Sequence, residues 1–301
     1  MHRVQAHIDQ HLGDALVLED LAQVAHFSPF HFHRLFTAWM GETLGDYLRR
    51  RRLEVAALRL LSQPRTPVLH IALMVGFGSG EAFAHAFKGR FGYSASHWRR
   101  QKAAERQLRQ LQLRKLDQAL RKPDQDTAAP GAEHGAANPG LVEQRMNVTV
   151  TERPPVRVVY MRHVGPYGPA VAAFWQQKFY PYAAQHGLTG RPCYGISHDD
   201  PDITAPEKCR FDICTEVDDA FKPSGEALVT TIPGGRYAML PFKGTPQTIH
   251  AAWAALMRDW LPASGWQLDG RPTFEYYPPD AEYDNATGTF ECQIVIPLAP
   301  L

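Results

Sequence analysis

The sequence predicts a multidomain chain: an all-α double helix-turn-helix domain followed by an α+β domain built from two β-α-β-β repeats. Three observations carry that prediction. A helix-turn-helix pattern near residue 21 returns about fifty residues later, residues 123–145 have the composition of a linker, and the pattern after residue 146 repeats at an offset of 79. The expected division is therefore 1–122, a linker over 123–145, and 146–301.

In the first region the element on which the others depend is Ser28 to Met40, followed by Gly41. Ser28 suits an N-cap and Pro29 the first helical position, where a missing N–H costs nothing. Gly41 suits a left-handed stop. Phe32, Leu35, Phe36 and Trp39 recur at helical spacing as an apolar face, leaving Phe30, His31, His33 and Arg34 to point elsewhere. Leu21-Ala22 to Phe27 matches Ile71-Ala72 to Phe77, and Ser28, Phe32, Phe36 and Gly41 match Ser79, Phe83, Phe87 and Gly92 with one extra residue in the turn. Each copy is a short helix, a turn and a second helix. Leu18, Leu21, Val24 and Phe27, like Leu69, Ala72, Val75 and Phe77, read as core positions. Between the copies, Leu44 to Ser62 has no breaker; at a rise of about 1.5 Å per residue it spans roughly 28 Å, close to the ~34 Å repeat of the major groove.

Charge divides the chain in the same way. Residues 1–122 hold 19 Lys and Arg against 10 Asp and Glu, a charge of +9; residues 123–301 hold 13 against 21, a charge of −8, which together give the overall +1. Only the first half is suited to a polyanion. No stretch resembles a signal peptide or a run of about 18 apolar residues, so a cytoplasmic protein with no membrane partner is expected. Cys193, Cys209, Cys214 and Cys292 lack Cys-x-x-Cys spacing and read as buried thiols. His31 and His33 are two apart and share no helix face. No metal or other cofactor is expected.

On these motifs residues 1–100 resemble the double helix-turn-helix DNA-binding domain of the AraC/XylS transcription regulators. The resemblance implies double-stranded promoter DNA as partner, RNA polymerase as a second one, and base or backbone contacts from Phe30, His33 and Arg34 on the first reading helix. On the second helix it implies Gly80, Glu81, Ala84, His85 and Lys88. Arg34 can pair bidentately with guanine, and Phe30 can touch a thymine methyl. Glu81 can only accept, or else serves the positive end of its helix. In the connector, Arg49 to Arg52 covers every helix face. At least one of the four therefore pairs or packs internally, and the rest are free to meet phosphate.

Arg99 to Lys122 reads as helical, and Pro123 to Glu143 as a flexible linker. Beyond it, strands are expected at Val148–Thr151, Val156–Met161, Cys193–Ser197 and Arg210–Val217, with a helix over Ala170–His186. The pattern returns as Val229–Ile232, Arg236–Phe242, a helix over Pro246–Leu261, Thr273–Tyr277 and Thr289–Ile296. Duplicated units of this kind make a pseudo-two-fold fold with a cleft between its halves.

The motifs His163-Val-Gly-Pro-Tyr-Gly, Pro206-Glu-Lys-Cys-Arg-Phe-Asp, Pro233-Gly-Gly-Arg-Tyr, Trp260-Leu-Pro-Ala-Ser-Gly-Trp and Pro272-Thr-Phe-Glu-Tyr-Tyr resemble the GyrI-like (gyrase-inhibitory-protein-like) effector-binding domain. That resemblance implies an acidic residue in an aromatic cleft, here Glu275, with Trp175, Tyr237, Trp253 and Tyr277 as walls. An ionised carboxylate inside an apolar strand needs a counter-charge or donors, and a cationic aromatic or amphipathic effector would supply the charge. The alternative is a strand Glu that faces solvent or pairs with an arginine. Lys243-Gly-Thr-Pro has no aromatic matching Tyr167, and His198-Asp-Asp-Pro-Asp lacks calcium-site spacing. The expected protein is a bacterial ligand-responsive transcription regulator, not an enzyme and with no catalytic residues. The competing expectation is a hydrolase of small electrophiles using Glu275 with Tyr237 or Tyr277.

Overall fold

A computed structural model describes residues 1–105, 108, 146–284 and 286–300. The linker expected at 123–145 and the helical extension expected from 109 to Lys122 lie outside the described residues.

The helical part begins with α1 (His2–Gln10), α2 (Leu18–Ala25), α3 (Pro29–Met40), α4 (Leu44–Ser62), α5 (Val68–Met74) and α6 (Gly80–Phe91). A further helix, α7, covers 95–105. Ser28 caps α3 and Ser79 caps α6, each accepting from the backbone N–H three residues on, and Gly41 and Gly92 end these helices at φ 68° and 79°. Two cores result. Val4, Ile8, Leu21, Phe32, Phe36 and Tyr47 form one, while Leu53, Leu60, Ile71, Phe83, Phe87 and Trp98 form the other. Because α4 contributes to both cores, a single rigid rod sets the distance between the two helix-turn-helix units.

Four residues expected in the core are exposed: Leu35, Trp39, Phe27 and Leu69. α3 meets the core along one narrow stripe, and Phe32 and Phe36, one turn apart, fill it. Leu35 and Trp39 flank that stripe, and the ring of Trp39 packs on His2.

The sheet part contains β1 (Thr149–Arg153), β2 (Val156–Val164), β3 (Cys193–Ser197), β4 (Arg210–Glu216), β5 (Leu228–Ile232), β6 (Gly235–Gly244), β7 (Trp266–Leu268), β8 (Phe274–Tyr277), β9 (Tyr283–Asp284) and β10 (Thr289–Pro300). The strand order β1-β6-β10-β8-β3-β4-β2-β5 is symmetric about the β3–β8 pair. Each repeat gives its first strand to the other: β1 pairs with β6, and β5 with β2. This exchange ties the two repeats into one sheet, with β3 and β8 at its centre.

Each repeat sends one helical segment across the sheet. The first, α8, runs through Pro169–Phe174, Trp175–Phe179 and Tyr180–Gln185; the second, α9, runs through Ile249–Ala255, Leu256–Trp260 and Leu261–Ala263. The middle section of each is a π-helical turn. Pro181 and Pro262 explain these turns. A proline inside a helix donates no hydrogen bond and collides with the carbonyl four residues back, so Tyr180 and Leu261 bond five residues back instead, to Trp175 and Leu256.

The two parts meet through buried charge. Arg51 on α4 lies 2.5 Å from Asp199 and 3.5 Å from Asp9; Arg210 pairs with both aspartates; Lys208 reaches Glu42 at 2.9 Å. Arg162, held bidentately by Asp212, faces Asp9 at 3.7 Å. Ile203 packs on the second helical core.

Candidate functional sites

On the helical part, Phe30, His33, Arg34, Glu81, Ala84, His85 and Lys88 are exposed. Phe32 and Phe36 point α3 inward, and Phe83 and Phe87 do the same for α6, so these positions necessarily face out. Phe30, at 67% exposure, carries the Arg34 guanidinium 5.7 Å above its ring. An apolar surface and a fork of donors are thus presented side by side. Gly80 sits differently: a Cβ there would lie 3.1 Å from Leu69 Cδ1, so the residue serves the close approach of α5 to α6.

The arginine run is more constrained than its charge suggests. Arg50 binds Glu42 and Glu54, Arg51 binds Asp9, Glu54 and Asp199, and Arg52 donates to the carbonyls of Leu12 and Asp14. Three of the four are therefore occupied within the molecule, and only Arg49 of the run is exposed.

On the sheet part the central feature is Glu275. Its β8 register partner is Gly195 on β3, at the pseudo-symmetry axis. A Cβ on Gly195 would stand 2.7 Å from the Phe211 ring, so glycine makes room for that ring, and it would only touch Glu275 Oε2, at 3.4 Å. Trp253 Nε1 donates to Glu275 Oε1 at 3.2 Å, and the Tyr277 hydroxyl donates to Oε2 at 2.7 Å. Burial pushes the Glu275 carboxyl up from the ordinary value, against the lowering pull of those two donors. Among the described residues no cation pairs with it. Trp175 on α8 packs edge-on against Tyr277 at 5.6 Å, and Phe290 closes the other side of Tyr277 at 6.0 Å.

Trp175, Trp253, Tyr277 and Glu275 thus line one space between α8 and α9. Tyr237 does not. It is fully buried on the opposite sheet face with Tyr160, Tyr194 and Phe274, its hydroxyl donates to Pro233 O, and Arg271 covers its ring at 4.5 Å. Strand alternation puts Tyr237 on the face opposite to Ala238, whose neighbours on the α9 side include Ile294, the β10 partner of Glu275. Tyr237 is thereby removed from the set around the carboxylate.

The space around Glu275 opens into a hollow of about 1940 Å³ that continues to Arg59, Asp9 and Asp199 between the two parts. This exceeds the ~300–1,000 Å³ of one ligand site; it is the cleft plus the groove at the domain interface. The acidic loop after β3 and Arg210 in the Pro206-Glu-Lys-Cys-Arg-Phe-Asp motif are the interface residues that motif reading left unassigned. Their signal was complementarity: a carboxylate-rich loop in one half and an over-long arginine run in the other.

Two exposed reading helices spaced by one rod, joined to a duplicated α+β sheet holding a half-buried carboxylate among aromatic rings, define a DNA-binding transcription regulator with a small-molecule domain. The chain belongs to the family carrying the GyrI-like small molecule binding domain, which matches residues 146–299, and a helix-turn-helix domain of AraC type matches residues 21–101. The SPbeta prophage-derived protein YosT of Bacillus subtilis is 28% identical over 154 residues, covering 51% of this chain and 99% of YosT. The regulatory protein SoxS of Escherichia coli is 34% identical over 94 residues, covering 31% of this chain and 87% of SoxS. Among solved structures, the DNA-binding domain of AdpA in complex with a target DNA matches at 30% identity and a TM-score of 0.33, covering 35% of this chain and 94% of that one.

Proposed function

We propose that this regulator responds to a cationic aromatic or amphipathic small molecule bound over Glu275, and that the bound state alters how α3 and α6 engage promoter DNA and, through it, RNA polymerase. The observation that carries the reading is a half-buried, desolvated carboxylate with two neutral donors and no cationic partner among the described residues. Such a group is costly when ionised and alone, and a ligand cation removes that cost while Trp175, Trp253 and Tyr277 offer ring faces.

The test titrates the full chain with tetraphenylphosphonium and with neutral triphenylphosphine oxide by calorimetry. Selective binding of the cation is expected, with at least about a tenfold loss in Glu275→Gln, equivalent to ~1.4 kcal/mol. Equal binding of both compounds, or an unaffected Gln variant, would remove Glu275 as charge partner. On the DNA side, Arg34→Ala should weaken operator binding by about 1–3 kcal/mol; unchanged affinity in a fluorescence titration would break the assignment of α3 to the groove.

The hydroxyl of Tyr277, 2.7 Å from the carboxylate, keeps hydrolysis as a second reading, with Glu275 as general base. Mass spectrometry of the same titrations separates the two, since a sensor returns its compounds intact.

A further inference from the structure

We propose that the loop at 198–204 and the ion cluster it shares with α4 form a latch, through which occupancy of the Glu275 cleft reaches the rod that spaces the two reading helices. The proposal rests on the cleft reading given above.

The latch begins at the floor of the cleft. Gly195, opposite Glu275, is two residues before the end of β3 at Ser197 and four before Asp199, at most about 13 Å of chain at ~3.3 Å per residue. Asp199 is 8% exposed and lies 2.5 Å from Arg51 Nη1. Its second oxygen accepts from Arg210 Nε and from the Arg210 backbone N–H, both at 2.9 Å. Tyr167 supplies a second path. Its ring packs edge-on against Phe211 and it borders the hollow, while its hydroxyl lies 2.8 Å from Arg210 O and 3.1 Å from Asp199 O. A ligand that displaces either β3 or Tyr167 therefore displaces Asp199.

The other side of the latch is the middle of α4. Arg51 also binds Glu54 at 2.9 Å, and Arg50 joins Glu54 to Glu42, which receives Lys208. Five cations (Arg50, Arg51, Arg162, Lys208, Arg210) and five carboxylates (Asp9, Glu42, Glu54, Asp199, Asp212) make the cluster neutral. Arg90 approaches its edge at 3.8 Å from Glu54, and His198 at 2.6 Å from Asp212. Asp9 Oδ1, Arg51 Nε, Arg162 Nη1 and the Tyr47 hydroxyl make no hydrogen bond. A buried ionic network with such gaps sits near the balance between desolvation and attraction, so small shifts of one partner can open it, where an apolar seam would stay shut. The reading positions on α3 and α6 are exposed while the latch is closed. It therefore controls the posture of α4 and does not cover the DNA face.

The test uses the full chain as wild type, Ile203→Asp, Asp199→Asn and Lys208→Ala, with two readouts. The first needs no ligand: hydrogen exchange of α4 amides should rise about tenfold or more in Ile203→Asp and Asp199→Asn, and less in Lys208→Ala. Unchanged α4 exchange in Ile203→Asp and Asp199→Asn would overturn the latch. The second is the ratio of affinities for a promoter duplex with and without saturating tetraphenylphosphonium. In wild type it should depart from one by about 5–150-fold, a usual allosteric range, and return towards one in Ile203→Asp with the cation still bound. A wild-type ratio of one despite cation binding, or a wild-type ratio kept by Ile203→Asp, would also overturn it. If the cation fails to bind wild type, the cleft reading has failed, and the exchange result alone decides the latch.

Discussion

Glu275 pairs in register with Gly195, four residues before Asp199; one carboxylate is half-buried and the other buried, yet their surroundings differ in a more telling way. Asp199 is gripped by Arg51 and Arg210, which outweigh burial and hold its carboxyl below the ordinary carboxylate range. Among the described residues Glu275 meets only an indole N–H and a phenol, and desolvation wins, pushing its carboxyl up. Sequence neighbours decide neither outcome; what differs is whether the chain brings its own cation. Where it does, the carboxylate is committed to joining two parts of the molecule. Where it does not, the site is open to a cation from outside.

The largest effect that would test this contrast is at the filled site. Asp199→Ala leaves Arg51 and Arg210 buried with Asp9 alone of the two carboxylates they share, and the cluster one positive charge in excess, an arrangement that costs about 3–5 kcal/mol. Urea denaturation should show that loss. In Glu275→Gln the apo protein should instead be as stable as wild type or more so at neutral pH, because a desolvated charge is removed. A cost below ~1 kcal/mol for Asp199→Ala would mean that the arginines find other partners and that the two carboxylates do not differ in kind.

Much of the contrast was legible beforehand on one side only. Ser28, Pro29 and Gly41 gave the limits of α3, and α4 runs from Leu44 to Ser62 as its unbroken pattern required. The duplicated sheet followed from the offset of 79, since each strand of the first repeat has a counterpart in the second. Glu275 came from the resemblance of Pro272-Thr-Phe-Glu-Tyr-Tyr to the GyrI-like domain, and its place inside an apolar strand supplied the reason for its desolvation. Tyr237 was misplaced because its strand is buried on both faces, and hydropathy then carries no sign of which face a side chain takes. Trp39 and Leu69 were misplaced for the reverse reason, a helix touching its core along too narrow a stripe. For the arginine run the helix geometry requires at least one internally engaged member; three are engaged, and charge in one dimension does not show a partner that arrives 148 residues later.

The next effect is pH dependence, where the two carboxylates should show opposite signs. A depressed Asp199 stabilises the fold above its unfolded value near 3.8, and that contribution is lost as pH falls through its lower folded value. A raised Glu275 destabilises the fold above its folded value, and the penalty disappears below its unfolded value near 4.5. The difference in unfolding free energy between Glu275→Gln and wild type should therefore shrink as pH is lowered through that window. Affinity for tetraphenylphosphonium should fall about tenfold per pH unit once the proton competes for the carboxylate. That decline should begin above the pH expected for an exposed Glu. A decline starting only near pH 4.5 would mean that water reaches the carboxylate freely.

The smallest effect is at the donors. The Tyr277 hydroxyl bonds the carboxylate at 2.7 Å and the Trp253 indole at 3.2 Å, and both favour its ionised form. Tyr277→Phe should cost about 0.5–1.5 kcal/mol of that support, so the pH at which cation binding is half lost should move upwards. Trp253→Phe should move it in the same direction by less, since the longer bond contributes less. The edge contact of Tyr277 with Trp175 keeps its ring geometry in the phenylalanine variant, which separates loss of the donor from loss of the wall. A midpoint that stays in place in Tyr277→Phe would show that the hydroxyl bonds the protonated carboxyl equally well, and the charge of Glu275 would then depend on the ligand alone.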